Sequence, residues 1–132
     1  VSPADLRRLV FPWLKKLAGI AHARSMPFLL HSCGNLSAVM DELVEDVGID
    51  AKHSFEDAIQ PVGEAKRLYG DRIAVLGGAD MDFLCRSSEE EVRGYTRRLI
   101  DECAPGGGWA LGTGYEVLHG AFRIGDRWRW LR

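Results

Sequence analysis

The sequence predicts an α/β fold built from parallel βα units. Patterns typical of helices and strands alternate along the chain in the order α-β-α-β-α-β-α-β, and this alternation favours a parallel sheet with right-handed crossovers. The strand predicted over Ile73 to Gly77 is continuously apolar, as expected where both faces of a sheet are covered. Polar residues follow every predicted strand. A closed (β/α)₈ barrel needs about 250 residues, so four units correspond to half of such a barrel.

Clear signals bound the first two helices and the strand between them. The first helix runs from Ser2 to about Ala23, because a capping serine, a proline and an acidic residue open it. The first strand covers Met26 to His31, with a proline near its start, where a missing N–H is tolerated. The second helix covers about Leu36 to Val47 and ends at a glycine.

The remaining units continue the pattern within a single partial domain over residues 1–132. The second strand has the weakest pattern, since only Ile49 and Ala51 in it are apolar. The predicted elements are a strand over Ile49 to His53, a helix over about Ala58 to Tyr69, a strand over Ile73 to Gly77, a helix from Ser88 to just before Pro105, and a strand over Trp109 to Gly112. The tail, residues 118–132, is poorly defined: a short helix around Trp128 and Trp130 or a disordered end.

The end of the first strand carries the residues that favour a metal site. His31 and Cys33 lie two residues apart, so their side chains point to the same face of an extended backbone. Zinc accepts an imidazole and a thiolate together. The alternative is a capping histidine beside a small buried thiol. The position at a strand end favours the metal interpretation.

The other strand ends supply further candidates, because the carboxyl ends of parallel strands lie on one face of the sheet. His53 follows the second strand and Asp80 the third, and both are candidate catalytic residues. Asp80 also fits as a helix cap. The candidate substrate-binding residues at the end of the fourth strand are Thr113, Tyr115 and Glu116.

Composition excludes several classes of function. A net charge of −2 and a pI near 6.1 give no electrostatic basis for binding nucleic acid. Three cysteines, an odd number, are typical of a reducing cytoplasm. No apolar run approaches the ~20 residues that cross a bilayer. No glycine-rich dinucleotide or P-loop motif follows a predicted strand.

Four segments together resemble the C-terminal half of the uroporphyrinogen decarboxylase superfamily, whose fold is a TIM-type (β/α)₈ barrel. They are HSCGN at 31–35, YGDRIAVLGGAD at 69–80, SEEEVR at 88–93 and APGGGWALGTG at 104–114. The resemblance covers residues 2–117. Each segment alone is weakly specific, whereas their order is more so.

The resemblance implies one of two activities. One branch of the superfamily decarboxylates uroporphyrinogen without a cofactor. The other comprises zinc-dependent methyltransferases that move a methyl group between a methylcorrinoid, often on a corrinoid protein, and a thiol or related acceptor. His31 and Cys33 match the His-x-Cys zinc motif of the methyltransferases, which decarboxylases generally lack. The resemblance therefore favours a methyltransferase with zinc and a corrinoid methyl donor.

One position departs from both branches. Where methyltransferases tend to carry a third zinc ligand, a cysteine, and decarboxylases a histidine, this chain has Thr113, and a neutral hydroxyl is a poor zinc ligand. A further ligand would come from His53, Asp80, Glu116, the N-terminal half of the barrel or water.

Topology predicts a partner for the open sheet. Half a barrel leaves two strand edges and an apolar inner face, expected to include Leu30, Ala74, Leu76 and Ala110, so the chain should form a homodimer or need the N-terminal half. The third hypothesis is an inactive fragment or a binding subunit, because a half barrel alone lacks half of an active site.

Overall fold

Helices and four short parallel strands make up most of the described chain. The computed structural model describes residues 1–113, 121–124 and 127–130. Helix α1 is continuous from Pro3 to His22, with a π-helical segment at Leu6–Val10. Its start is a capping box, in which Ser2 and Asp5 satisfy each other's backbone N–H groups.

The later helices also begin and end where the local chemistry dictates. Helix α2 comprises Ser37–Val39, Met40–Glu42 and Leu43–Val47 in 3₁₀, α and π geometry. It ends at Gly48, whose φ of +80° closes the last turn. The remaining helices are α3 (Val62–Tyr69), α4 (Met81–Arg86) and α5 (Glu89–Cys103).

Helix α3 is shorter than predicted. It begins at Val62 rather than Ala58, and Pro61 caps it from outside instead of lying in its first turn. The reason is steric, because a proline disfavours helical backbone at the residue before it. The segment between the second strand and α3 is therefore a loop of irregular backbone, and this loop lies at the carboxyl end of the sheet.

The strands are β1 (Leu29–His31), β2 (Ala51–His53), β3 (Ala74–Leu76) and β4 (Trp109–Ala110). They pair in parallel in the order β1-β2-β3-β4. All four lie inside the predicted ranges but are shorter. The architecture is thus the predicted α/β one, a partial TIM-type barrel of parallel βα units.

The register divides the sheet into two faces. One row across it is Leu30–Lys52–Val75–Trp109, and the next is His31–His53–Leu76–Ala110. Val75 is 0% exposed and belongs to the core shared with the helices, together with Leu30. The expectation that Leu30 lies on the open face is therefore wrong, because alternation of side chains along β1 places it opposite His31.

The core lies between the sheet and the helices. Its fully buried large side chains are Met40, Leu43, Val62, Val75 and Cys103. Ile73 and Val75 belong to the core, but Ala74 and Leu76 on the other face of β3 are only partly buried. The expectation of a strand buried on both faces is therefore wrong, because helices cover one face of this sheet and the other is open. On the other side of the sheet, Leu29 is 52% exposed.

The tail differs from both predicted forms where the structure describes it. Ala121–Ile124 (β5) and Arg127–Trp130 (β6) pair as an antiparallel hairpin, so a helix around Trp128 and Trp130 is wrong. Alternation of arginine with aromatic and apolar residues suits a strand period of two rather than a helix. No helix in the described part of the chain is long and apolar enough to cross a membrane.

Candidate functional site

Two histidines meet at the carboxyl ends of β1 and β2. His31 and His53 are register partners on the face away from the helices. Their Nδ1 atoms are 2.7 Å apart, and the ring centroids are 4.9 Å apart at an interplanar angle of 33°. The pairing follows directly from parallel register, because both strands end at their histidine.

A backbone carbonyl determines which histidine nitrogens carry protons. The Nε2 of His53 lies 3.0 Å from the carbonyl oxygen of Thr113, which can only accept a hydrogen bond. With both rings neutral, His53 donates from Nε2 and accepts at Nδ1, so His31 donates from Nδ1. The Nε2 of His31 is then left with a free lone pair.

This lone pair faces the sulfur of Cys33. The distance from His31 Nε2 to Cys33 Sγ is 3.6 Å, and both residues are exposed on the open side of the sheet. An imidazole nitrogen and a thiol thus converge on one accessible point, as their two-residue spacing predicts.

Ser54 contacts the same sulfur from the carboxyl end of the neighbouring strand β2. Its Oγ–H donates to Cys33 Sγ at 3.3 Å, and the residue is only 3% exposed. Its backbone has a φ of +82°, which is uncommon for a residue other than glycine. The Ser54 hydroxyl therefore belongs to a buried residue with an unusual backbone conformation, and it does not rotate freely at the surface.

Lys52 lies on the helix-facing side of the sheet and contacts Ser54 from there. It occupies the helix-facing row beside Val75, is 3% exposed, and its Nζ donates to the carbonyl oxygen of Ser54 at 2.5 Å. The ammonium also lies 4.1 Å from the ring centroid of Phe55. Burial lowers the pKa of Lys52 from 10.5 to about 8, although the nearby Cys33 and Glu56 oppose the change.

Gly77 provides the space for the contact between His53 and Thr113. Its φ is +85°, and a Cβ at this position would lie 2.5 Å from the Thr113 carbonyl oxygen and 2.9 Å from the His53 ring. A side chain is therefore excluded here on two grounds, backbone conformation and lack of room.

The donor set fits part of a zinc site. Two ligands of one tetrahedral zinc ion, at about 2.0–2.1 Å for nitrogen and about 2.3 Å for sulfur, lie about 3.6 Å apart. This is the separation of His31 Nε2 and Cys33 Sγ. The hydrogen bond from His31 Nδ1 is the kind of outer contact that orients a metal-binding imidazole. In residues 1–113 and the two tail strands, no group of three or more His, Cys, Asp or Glu side chains is arranged to hold a metal.

His53 is oriented differently from a metal ligand. Its Nδ1 faces His31 and its Nε2 faces Thr113, so both ring nitrogens are already engaged. Its position supports His31, and its catalytic role stays a prediction. Thr113 takes part through its carbonyl oxygen, which any residue would supply.

Asp80 lies in a separate group of side chains. Its Oδ1 accepts a hydrogen bond from the Phe83 N–H at 2.7 Å and caps α4. A helix cap was the alternative role for Asp80 that the sequence left open. Its own N–H donates to the Tyr95 hydroxyl, which in turn donates to Asp57 at 3.2 Å. Burial, and to a lesser degree the charge of Asp80, raises the pKa of Asp57. A catalytic role for Asp80 stays a prediction.

Two candidate substrate-binding residues remain from the sequence analysis. Tyr115 and Glu116 lie outside the described residues.

Two residues of the site carry no role in the sequence-based prediction, Lys52 and Ser54. The sequence carried one signal for Lys52, a charged residue in the middle of a strand. A lysine is almost never fully buried without a partner, so a lysine in a buried strand implies a polar contact.

Comparison with known proteins agrees with this architecture. The family model for uroporphyrinogen decarboxylase (URO-D) matches residues 1–121. A uroporphyrinogen decarboxylase from Thioalkalivibrio sulfidiphilus (strain HL-EbGR7) is 27% identical over 124 residues, which are 91% of this chain and 34% of that protein.

A solved structure shares the fold. A methyltransferase from Methanosarcina mazei superposes with a TM-score of 0.65 at 21% identity, over 86% of this chain and 32% of that one. The chain thus spans about a third of the length of the relatives it matches. By the family match over nearly all of its length, the chain belongs to the uroporphyrinogen decarboxylase family.

Proposed function

We propose that this chain supplies the His–Cys part of a zinc site in a methyltransferase that transfers a methyl group from a methylcorrinoid to a thiol. The observation that carries the proposal is the 3.6 Å separation of His31 Nε2 and Cys33 Sγ. The supporting contacts around them are consistent with it, since His53 fixes the tautomer of His31 and Ser54 donates to the sulfur.

In this proposal, residues of the chain bind the metal and orient its ligands. His31 and Cys33 would hold the metal, and His53 keeps the His31 ring in place through its link to the Thr113 carbonyl. Bound there, zinc would supply Lewis acidity that lowers the pKa of an acceptor thiol. The remaining ligands would come from the acceptor thiol and from parts of the protein outside the described residues.

The methyl transfer balances as a simple displacement. The acceptor thiol would lose its proton to solvent, and its sulfur would take the methyl group. A carbon–sulfur bond would form, and the corrinoid, as the methyl donor, would keep the electron pair of the bond that breaks. The open, exposed position of His31 and Cys33 leaves access for such a bulky donor.

The second candidate function is decarboxylation of uroporphyrinogen. It is favoured by the printed name of the relative from Thioalkalivibrio sulfidiphilus, which is 27% identical to this chain. In that case His31 and Cys33 would serve no metal, and the exposed face of the sheet would contact a tetrapyrrole. The two functions make opposite predictions about Cys33.

The test compares metal content and turnover in the complete gene product. Wild type, Cys33→Ser and Cys85→Ser are loaded with zinc, dialysed and analysed for the metal. Cys85 is the matched control, since it is also an exposed free cysteine. Each protein is then assayed with methylcobalamin plus a thiol, and separately with uroporphyrinogen.

We expect Cys33→Ser to lose both bound zinc and thiol methylation, and Cys85→Ser to retain them. Decarboxylation of uroporphyrinogen that survives in Cys33→Ser, without thiol methylation in the wild type, would favour the second function and reject the first.

A further inference from the structure

Ser54 adopts a backbone conformation that its residue type disfavours. Among the described residues, two that are not glycine have positive φ, Ser25 at +55° and Ser54 at +82°. Glycine would adopt the second conformation at lower cost. Residues held in such regions cluster at functional sites, because surrounding contacts must enforce them. Ser54 therefore points to a requirement for its side chain.

Among the described residues, that side chain makes one hydrogen bond, to Cys33. The hydroxyl donates to Sγ at 3.3 Å from a residue that is 3% exposed. On its other side, the same sulfur is 3.6 Å from His31 Nε2. Cys33 is itself exposed and follows the end of β1, so strand pairing does not fix it. In the described part of the chain, the Ser54 hydroxyl is the one group that donates a hydrogen bond to its sulfur.

Lys52 in turn holds the backbone of Ser54. Its Nζ donates to the Ser54 carbonyl oxygen at 2.5 Å, although Lys52 starts from the buried row of the sheet where Leu30 and Val75 are apolar. An apolar residue would pack there at lower cost. One hydrogen bond thus joins a buried ammonium to a serine with a disfavoured backbone. The hydroxyl of that serine is the group that contacts Cys33.

From these contacts we infer that Ser54, held by Lys52, is a positioning residue that fixes the Cys33 sulfur for metal binding opposite His31. The inference rests on the proposed zinc site and adds the residues that organise it. Its O–H···S bond also withdraws charge from a bound thiolate. Such outer contacts typically contribute about 10- to 100-fold to metal affinity.

The test separates positioning from stability. Zinc affinity of the full chain is measured by chelator competition, and unfolding by thermal melting, for wild type, Ser54→Gly and Ser54→Ala. Ser25→Gly is the matched control, because it relieves the other positive φ at an exposed serine. Cobalt(II) spectra add a direct readout of the bond between sulfur and metal.

We expect Ser54→Gly and Ser54→Ala to bind zinc about 10- to 100-fold more weakly, with the cobalt–thiolate band shifted to longer wavelength. Ser54→Gly should melt no lower than wild type, since glycine removes the strained backbone. Ser25→Gly should keep wild-type affinity. Ser54→Ala keeps the test decisive if the glycine variant fails to fold.

The outcomes distinguish this inference from the proposed function. If wild type binds more zinc than Cys33→Ser but the two Ser54 variants bind as tightly as wild type, the positioning role is wrong and the zinc site stands. Weakening in Ser54→Gly alone would indicate backbone flexibility and would also reject the hydroxyl's role. If wild type and Cys33→Ser bind zinc equally, the zinc site and the positioning role both fail.

Discussion

Replacing Lys52 with methionine should change how stability depends on pH. Lys52 is 3% exposed, and burial lowers its pKa in the folded chain to about 8, against 10.5 in its ordinary state. Between these two values the unfolded chain binds more protons than the folded one. The Lys52 contribution to the free energy of unfolding therefore rises as pH increases through this window.

The size of the effect follows from the pKa difference. One pKa unit corresponds to about 1.4 kcal/mol, so the fall from 10.5 to about 8 amounts to about 3 kcal/mol. The buried ammonium imposes this cost in full below pH 8, and the cost disappears by about pH 10.5. Lys52→Met has no such group. Its free energy of unfolding relative to wild type should therefore fall by about 3 kcal/mol across this range.

Urea unfolding at several pH values provides the measurement, with tryptophan fluorescence as the signal and a reductant to keep the cysteines free. Other groups titrate in the same range, but they are common to both proteins and cancel in the difference. A difference between variant and wild type that stays constant from pH 7 to pH 10.5 would show that Lys52 is not buried as described.

Three further predictions concern the sheet and its faces. Val75→Asp should unfold the chain, because Val75 is 0% exposed and an unpaired buried carboxylate costs several kcal/mol; a soluble variant with a cooperative melt would contradict its placement. Gly77→Ala should weaken zinc binding by displacing His53 from the Thr113 carbonyl oxygen, and unchanged affinity would show that this contact is dispensable. The isolated chain should self-associate at micromolar concentration, because Leu29 and Leu111 remain exposed beside the open sheet; sedimentation equilibrium that fits a monomer of 14.7 kDa would refute this.

Much of the fold was predictable because local patterns agree with the global arrangement. The continuous apolar run over Ile73 to Gly77 predicted the central strand, and the capping box at Ser88 predicted the start of α5. Boundaries were less predictable. The start of α3 moved to Val62 because Pro61 acts on the residue before it, and such steric effects leave little trace in hydrophobic periodicity.

Only part of the site could be predicted, for a different reason. His31 and Cys33 are two residues apart, so their proximity follows from strand geometry alone. The contacts of Ser54 and Lys52 depend on a backbone of positive φ and on a lysine side chain that leaves its buried row to reach the end of the strand. The link between His53 and Thr113 crosses sixty positions of sequence. Such contacts arise from tertiary structure, which composition and spacing do not encode directly.

The most direct test of the zinc site is X-ray absorption at the zinc edge of the loaded protein. Zinc held by His31 and Cys33 should show one sulfur scatterer at about 2.3 Å and imidazole nitrogen at about 2.0–2.1 Å. Cys33→Ser should lose the zinc, and any zinc that it retains should show no sulfur scatterer, whereas Cys85→Ser should keep both the zinc and the sulfur signal. A zinc environment without sulfur in the wild type, or a sulfur signal that survives in Cys33→Ser, would contradict the assignment of Cys33 as a ligand.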